Sequence, residues 1–296
     1  MNSSSFFALQ EGHGVVLLDG AMGTSLQQRG LPLGVPSDSW VLERPEEVLR
    51  VHEEFLAAGA QIILTNTFGS SRLRLRQAGM EEHFEIINRQ AVALARRASH
   101  GCSGVWVAAS LGPLGEWLEP LGALSPGQAR AFYREQAQIL IEAGIDALVI
   151  ETQMDLQEAL TAIEACFSAG NVPVVCSFSF NAQGRLIRGE RPAQVAQVLE
   201  QSGVFALGVN CGSSLEGNLQ ALAEMREVTS LPLWFKPNAG LPTVDEAGRV
   251  AYPIAPEQMG KGAVRAVEKG AKFVGGCCGA TPAHIRTIAK ALGKLG

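Results

Sequence analysis

No apolar run in the 296 residues approaches the roughly 20 that a membrane-spanning helix needs. No block of basic residues is present and the formal charge is -5, which argues against nucleic acid or an anionic membrane as a partner. The first ten residues have no basic region and only a short apolar stretch, so no secretory signal is expected. Cysteine is sparse. Six are scattered through a large chain, which fits a reducing cytosol and metal binding better than a disulfide framework. What remains is 47% hydrophobic, enough for a sizeable core, in a length that suits one large α/β barrel.

One pattern recurs. An amphipathic stretch ends in a small residue and a glycine, then a short β-branched run ends in polar residues. It is seen at Gly59, Gly144, Gly170, Gly203 and Gly270, each placed where a helix C-terminus favours a left-handed residue. Strands are predicted at Val15–Leu18, Gln61–Leu64, Val105–Ala109, Ala147–Ile150, Val172–Phe178, Phe205–Val209, Leu231–Phe235 and Lys272–Val274. Helical stretches lie between them. Ser125-Pro126 and Thr281-Pro282 read as helix starts, and Asp155-x-x-Glu158 resembles a capping box. Eight βα units predict a single-domain (β/α)8 TIM barrel over residues 1–296, with its core at about 15–295; an open doubly wound sheet is the alternative. The connections Leu31–Leu42, Leu111–Leu124 and Ala239–Pro256 are long. In the last, Val244–Tyr252 reads as a hairpin around Gly248.

In a barrel the strand C-terminal ends meet at one mouth. There the sequence places Asp19 and Gly20, Asn66, Ser110, Glu151, Cys211, Lys236 and Asn238, and the pair Cys277-Cys278. Adjacent cysteines do not readily bridge each other, but both can bind one metal if glycines let the backbone turn. With Cys211 they make three soft ligands, the pattern of a zinc site with one open position. Cys102, Cys166 and Cys176 read as small core residues. Phosphate cradling is disfavoured, since no lysine or arginine lies within Gly275–Ala283. No histidine falls at a strand end, so histidine acid–base chemistry is unsupported. Glu151 has no basic neighbour in sequence and calls for a ligand cation. Asp19 reads either as a ligand to that cation or as a cap for Met22–Gln28. Asn66 and Asn238 are further candidates, with turn satisfaction as the competing role. Three thiolates on zinc suit the capture of a fourth thiol, kept ionised near neutral pH, and hence alkyl transfer to sulfur.

Val274–Gly279 with Cys211, Leu18–Thr24 and Thr65–Phe68 together resemble the homocysteine S-methyltransferase family, from about Val15 to Leu295. Within it, Lys236–Pro242 and Tyr252-Pro253 are most similar to the homocysteine-binding module of cobalamin-dependent methionine synthase. The resemblance implies zinc on Cys211, Cys277 and Cys278, with the Asn238 side-chain oxygen on the metal when no thiol is bound. It implies Asp19 and Glu151 near the homocysteine amino group, and backbone around Gly20 and Ser110 near its carboxylate. The length leaves no room for folate, cobalamin or reactivation modules, so the methyl donor is expected to be a small sulfonium such as S-methylmethionine or methylcobalamin on a partner corrinoid protein.

Overall fold

The computed structural model describes residues 6–9, 12, 14–244 and 250–295. Ten strands are found among them: β1 (Val16–Leu17), β2 (Ile62–Leu64), β3 (Trp106–Leu111), β4 (Ala147–Gln153), β5 (Val174–Phe178), β6 (Ala206–Cys211), β7 (Leu233–Pro237), β8 (Thr243–Val244), β9 (Val250–Ala251) and β10 (Ala271–Val274). Eight form one all-parallel sheet in the order β1-β10-β7-β6-β5-β4-β3-β2. Its two edges meet. Leu18 bridges Ile62, Gln61 N donates to Leu17 O at 2.8 Å and Asp19 N donates to Ile62 O at 3.1 Å. The barrel is therefore (β/α)8, and the open sheet is excluded. Strands β8 and β9 pair antiparallel, as a hairpin requires; the turn around Gly248 lies outside the described residues.

Strand periodicity separates two cores. Leu17, Ile63 and Leu148 point outward into a large cluster shared with the helices. Val16 and Leu18, Ile62 and Leu64, Ala147 and Val149, with Ala108, Val175, Trp234 and Phe273, fill the barrel itself. Phe6, on a short 3-10 turn (Phe6–Leu9), closes the N-terminal end, its ring 5.3 Å from that of Phe205. Two residues further along the inward-facing rows come Ser110, Glu151, Ser177 and Lys236, all buried. The same alternation that fills the barrel with hydrocarbon thus ends in a polar layer under the mouth.

Several local expectations hold and three do not. Ser125 caps the helix Pro126–Glu142 with a full capping box, and Pro282 opens Pro282–Ala291, where Thr281 N donates to His284 Nδ1. Gly59, Gly144, Gly203 and Gly270 take positive φ between 82° and 104°. Gly170 instead has an extended φ of 171°; a Cβ there would lie 3.0 Å from Ile141 Cδ1, so close packing explains the glycine. At Leu156–Ala169, Asp155 caps Gln157 N, but Glu158 turns away to Leu114 N and the Tyr133 hydroxyl, so no capping box forms. Asp19 caps nothing: Met22–Gln28 begins after Ala21 without a side-chain cap.

Candidate active site

Cys211 ends β6, and Cys277-Cys278 follow β10, with only β7 between the two strands. Cys211 holds φ at 58° and the next residue is a glycine at 76°. A left-handed non-glycine residue costs about 1–2 kcal/mol, and here neighbours fix it: Asn218 Nδ2 donates to Cys211 O at 2.6 Å. The three sulfurs lie within 4.8 Å of one another, with Cys211 and Cys278 3.8 Å apart. Tetrahedral zinc with bonds of about 2.3 Å places its sulfurs about 3.8 Å apart. The thiols are also unequal. Contact with Cys211 and Cys277 holds the Cys278 pKa low, while contact with Cys277 and Cys278, together with burial, pushes Cys211 up. Three ionised thiolates this close together call for a cation between them.

Asn238 supplies a second observation. Its Nδ2 donates to Gly212 O at 3.1 Å, while its buried Oδ1 has no partner. Its backbone N donates to Cys211 O at 3.4 Å, so the orphan oxygen belongs to a residue tied to the thiol cluster. An unpaired buried acceptor is costly unless a ligand meets it. The donor set and the orphan oxygen both fit a metal of zinc type.

The carboxylates are arranged around a residue whose importance the sequence reading passed over. Lys236 Nζ donates to Asp19 Oδ1 at 2.6 Å with both side chains buried. Asp19 Oδ2 accepts from Leu64 N at 2.7 Å. Burial opposes the Lys236 charge, but Asp19, Glu151 and Cys277 outweigh it and hold its pKa above the usual value. Glu151 accepts a short hydrogen bond from Ser110 Oγ, and its pKa is pushed up to about 7 by burial, against the pull of Lys236. It sits in a bulge, where the register of β4 against β5 shifts between Ile150 and Gln153 and Thr152 takes φ 61°. Asn210 pins that bulge. Its Oδ1 accepts from Thr152 N and Ser177 Oγ, both at 2.7 Å, while its Nδ2 donates to Thr152 Oγ1 and faces Cys277 Sγ at 3.8 Å.

Asp19, Gly20, Asn66, Ser110, Glu151, Lys236 and all three cysteines line one cavity of about 230 Å³, large enough for a small amino acid. Asn66 is engaged: Ser37 Oγ donates to its Oδ1, and its Nδ2 donates to Ser37 O at 2.8 Å, clamping the long connection after β1 onto β2. Ser110 N donates to Thr65 Oγ1 at 3.3 Å. Asn238 is not among the lining residues. Of the remaining cysteines, Cys166 and Cys176 are buried as expected, but Cys102 is exposed on the turn after Phe84–Ala98 and is not a core residue.

A family model described as homocysteine S-methyltransferase matches residues 16–292. The chain belongs to the homocysteine S-methyltransferase family. Similar curated proteins include the methionine synthases of Mycobacterium tuberculosis (strain ATCC 25618 / H37Rv) and Mycobacterium leprae (strain TN), each 30% identical over 95% of this chain. The chain spans only about a quarter of their length. Among solved structures, the metallated form of the homocysteine methyltransferase MmuM from Escherichia coli is similar with a TM-score of 0.82 at 27% identity. That match covers 96% of this chain and 98% of the other. Its apo form is similar with a TM-score of 0.76. The carboxyl transferase domain of Rhizobium etli pyruvate carboxylase, at 13% identity and a TM-score of 0.53, shares the fold alone. In this member of the homocysteine S-methyltransferase family, the three thiols and the buried carboxylates face one cavity.

No helix among the described residues is long and apolar enough to cross a membrane.

Proposed function

We propose that the chain is a zinc-dependent S-methyltransferase that takes homocysteine as acceptor and forms methionine. The observation that carries this is the three-thiol cluster at zinc spacing, opening on a cavity with Glu151 in its wall. Cys211, Cys277 and Cys278 would hold the ion, and Asn238 Oδ1 would complete its shell when no substrate thiol is present. Zinc, when bound, supplies the positive charge that keeps the acceptor thiol ionised at neutral pH.

The chain's residues do the rest. Glu151 takes the substrate ammonium, which draws its raised pKa back down and fixes it as carboxylate. Asp19 adds negative charge to the same wall while Lys236 keeps the buried carboxylates compensated. The backbone around Gly20 and Ser110 lies on the carboxylate side. Asn210 steadies both the Glu151 bulge and Cys277, so the two ends of the substrate are held by one hydrogen-bonded unit. The thiol proton leaves to solvent. A sulfur lone pair then attacks the methyl carbon in line, and the donor's leaving atom departs with the electron pair of the broken bond.

The donor is a small sulfonium such as S-methylmethionine, or methylcobalamin on a partner corrinoid protein. The second option draws support from the length of the methionine synthases, in which a chain of this kind is about one quarter. It leads to a second reading, a homocysteine-binding module active only inside an assembly. The test is methionine formation by reduced, zinc-loaded protein given homocysteine with each donor in parallel. Turnover with either is the expected result, and Cys277→Ala is expected to abolish it together with zinc retention while the circular dichroism spectrum stays native. Zinc-dependent homocysteine binding without turnover would favour the module. No homocysteine binding would overturn both readings.

A further inference from the structure

A site that moves a methyl onto one sulfur while three others stand beside it must select among them. With homocysteine bound, the cysteine thiolates and the substrate thiolate crowd one mouth, and a nucleophilic sulfur is a nucleophilic sulfur wherever it belongs. Cys277 is part of the acceptor wall. It lines the acceptor cavity, and Asp19, Glu151 and Lys236 all feel its charge.

The fold treats that sulfur differently from the other two. Asn210 on β6 is registered against Lys236 on β7, and Cys277 N donates to Pro237 O at 2.8 Å. Adjacent strands thus bring Asn210, Lys236 and Cys277 to one level. Asn210 Nδ2 faces Cys277 Sγ at 3.8 Å, a normal reach for a sulfur acceptor. Among the described residues, no side-chain N–H donates to the sulfur of Cys211 or Cys278.

The Asn210 amide has one possible orientation. Its oxygen accepts from Thr152 N, a group that can only donate, and from Ser177 Oγ, both at 2.7 Å. The nitrogen is therefore the atom on the other side. One of its N–H groups goes to Thr152 Oγ1 at 2.7 Å, and the second is left for the sulfur. Asn210 is wholly buried, so bulk solvent does not compete for that donor.

A hydrogen bond to a thiolate draws charge off the sulfur, and a better stabilised thiolate is a weaker nucleophile. We infer that Asn210 is a specificity-determining residue, whose N–H on Cys277 keeps the methyl off the protein and leaves the substrate sulfur as acceptor. The inference rests on the homocysteine methyltransferase reading and holds for either donor. Self-methylation would break the donor's bond to its methyl carbon, leave that electron pair on the donor atom and form a C–S bond at Cys277. The product is a neutral thioether, so the thiol cluster would lose one anionic ligand for good.

The test treats the reduced, zinc-loaded whole chain with methyl iodide, from which iodide departs with the electron pair, in the absence of homocysteine. Asn210→Asp keeps an acceptor for Thr152 N and Ser177 but has no N–H. Asn210→Leu removes the donor without adding charge. Ser177→Ala removes a support of the amide and leaves its N–H in place. Tandem mass spectrometry measures methylation of Cys211, Cys277 and Cys278 separately, with zinc release followed alongside. In the wild type Cys277 is expected to be methylated last. The ratio of methylation at Cys277 to that at Cys211 is expected to rise about 10-fold in both Asn210 variants, and to stay within about twofold of wild type in Ser177→Ala. Because the ratio is taken within one molecule, a general loosening of the mouth leaves it unchanged. An unchanged ratio in a variant that retains zinc, a rise with Asp but not with Leu, or an equal rise in Ser177→Ala would overturn the inference. So would first methylation at Cys277 in the wild type, which needs no variant. A wild-type protein that retains no zinc, or binds no homocysteine in a parallel titration, would instead remove the reading beneath it.

Discussion

The two ends of the barrel are built from the same eight strands and differ in almost every other respect. The N-terminal end is hydrocarbon: Phe6, Phe205, Phe273 and Trp234 pack ring on ring, with centroids 5.3–6.0 Å apart along that series. The C-terminal end, two residues further along the same inward rows, carries Ser110, Glu151, Ser177 and Lys236, with the three cysteines above them. The packing of the closed end supports the fold. The open end holds a buried ion pair, an orphan amide oxygen, two left-handed non-glycine residues and three crowded thiols, each of which costs stability and is understandable only if something binds there.

The contrast breaks most sharply at Lys236. Lys236→Met strands the buried Asp19 charge and is expected to cost about 3–5 kcal/mol and to abolish homocysteine binding. Chemical denaturation and calorimetric titration read the two effects. Adding Asp19→Asn to the variant is expected to recover most of the stability without the binding, because the carboxylate that Lys236 paired is gone and Glu151, with a pKa pushed up to about 7, can take up a proton. Recovery of binding as well would show that the pair is structural only.

At the closed end the expectation is reversed. Phe6→Ala is expected to lose about 3 kcal/mol while kcat/KM changes by less than about twofold, as for a site away from the chemistry. A large fall in kcat/KM at full folding would show that the two ends are coupled.

The smallest effect belongs to His52, which is on the helix Pro45–Ala57 rather than at either end. It is fully buried, both ring nitrogens lack partners, and burial lowers its pKa to about 4. The folded protein therefore keeps it neutral where the unfolded chain, with a pKa near 6.5, takes a proton. Its contribution to stability is complete above about pH 6.5 and is lost as pH falls toward 4, by about 3 kcal/mol over that window. His52→Leu is expected to flatten this acid-side slope and to stabilise the protein by about 1–2 kcal/mol at pH 7. An unchanged slope in denaturation midpoints across that range would assign it elsewhere.

Much of the fold was legible because its signals are local. Short β-branched runs and helix-ending glycines are read in windows of a few residues, and eight of them admit few arrangements. The cysteines were legible because strand ends in a barrel converge wherever the strands lie. Strand lengths were underread where polar residues continue the ladder: β4 runs on through Glu151 to Gln153, and β6 through Asn210 to Cys211. The partnership of Lys236 with Asp19 was not legible at all. The two are 217 positions apart, and their contact depends on which strands neighbour each other at closure. Asn210 was passed over for a similar reason, since its work is done on Thr152, Ser177 and Cys277 from three other segments. Cys102 was misread because a lone cysteine carries no mark of whether its turn faces solvent.

The most direct test of the central claim is X-ray absorption at the zinc edge, on reduced, zinc-loaded protein with and without homocysteine. The account predicts three sulfurs at about 2.3 Å and one light-atom ligand at rest, becoming four sulfurs when homocysteine is added. Selenohomocysteine in its place is expected to give three sulfurs and one selenium. A zinc shell that does not change on adding homocysteine, or a reduced protein that retains no zinc, would contradict it.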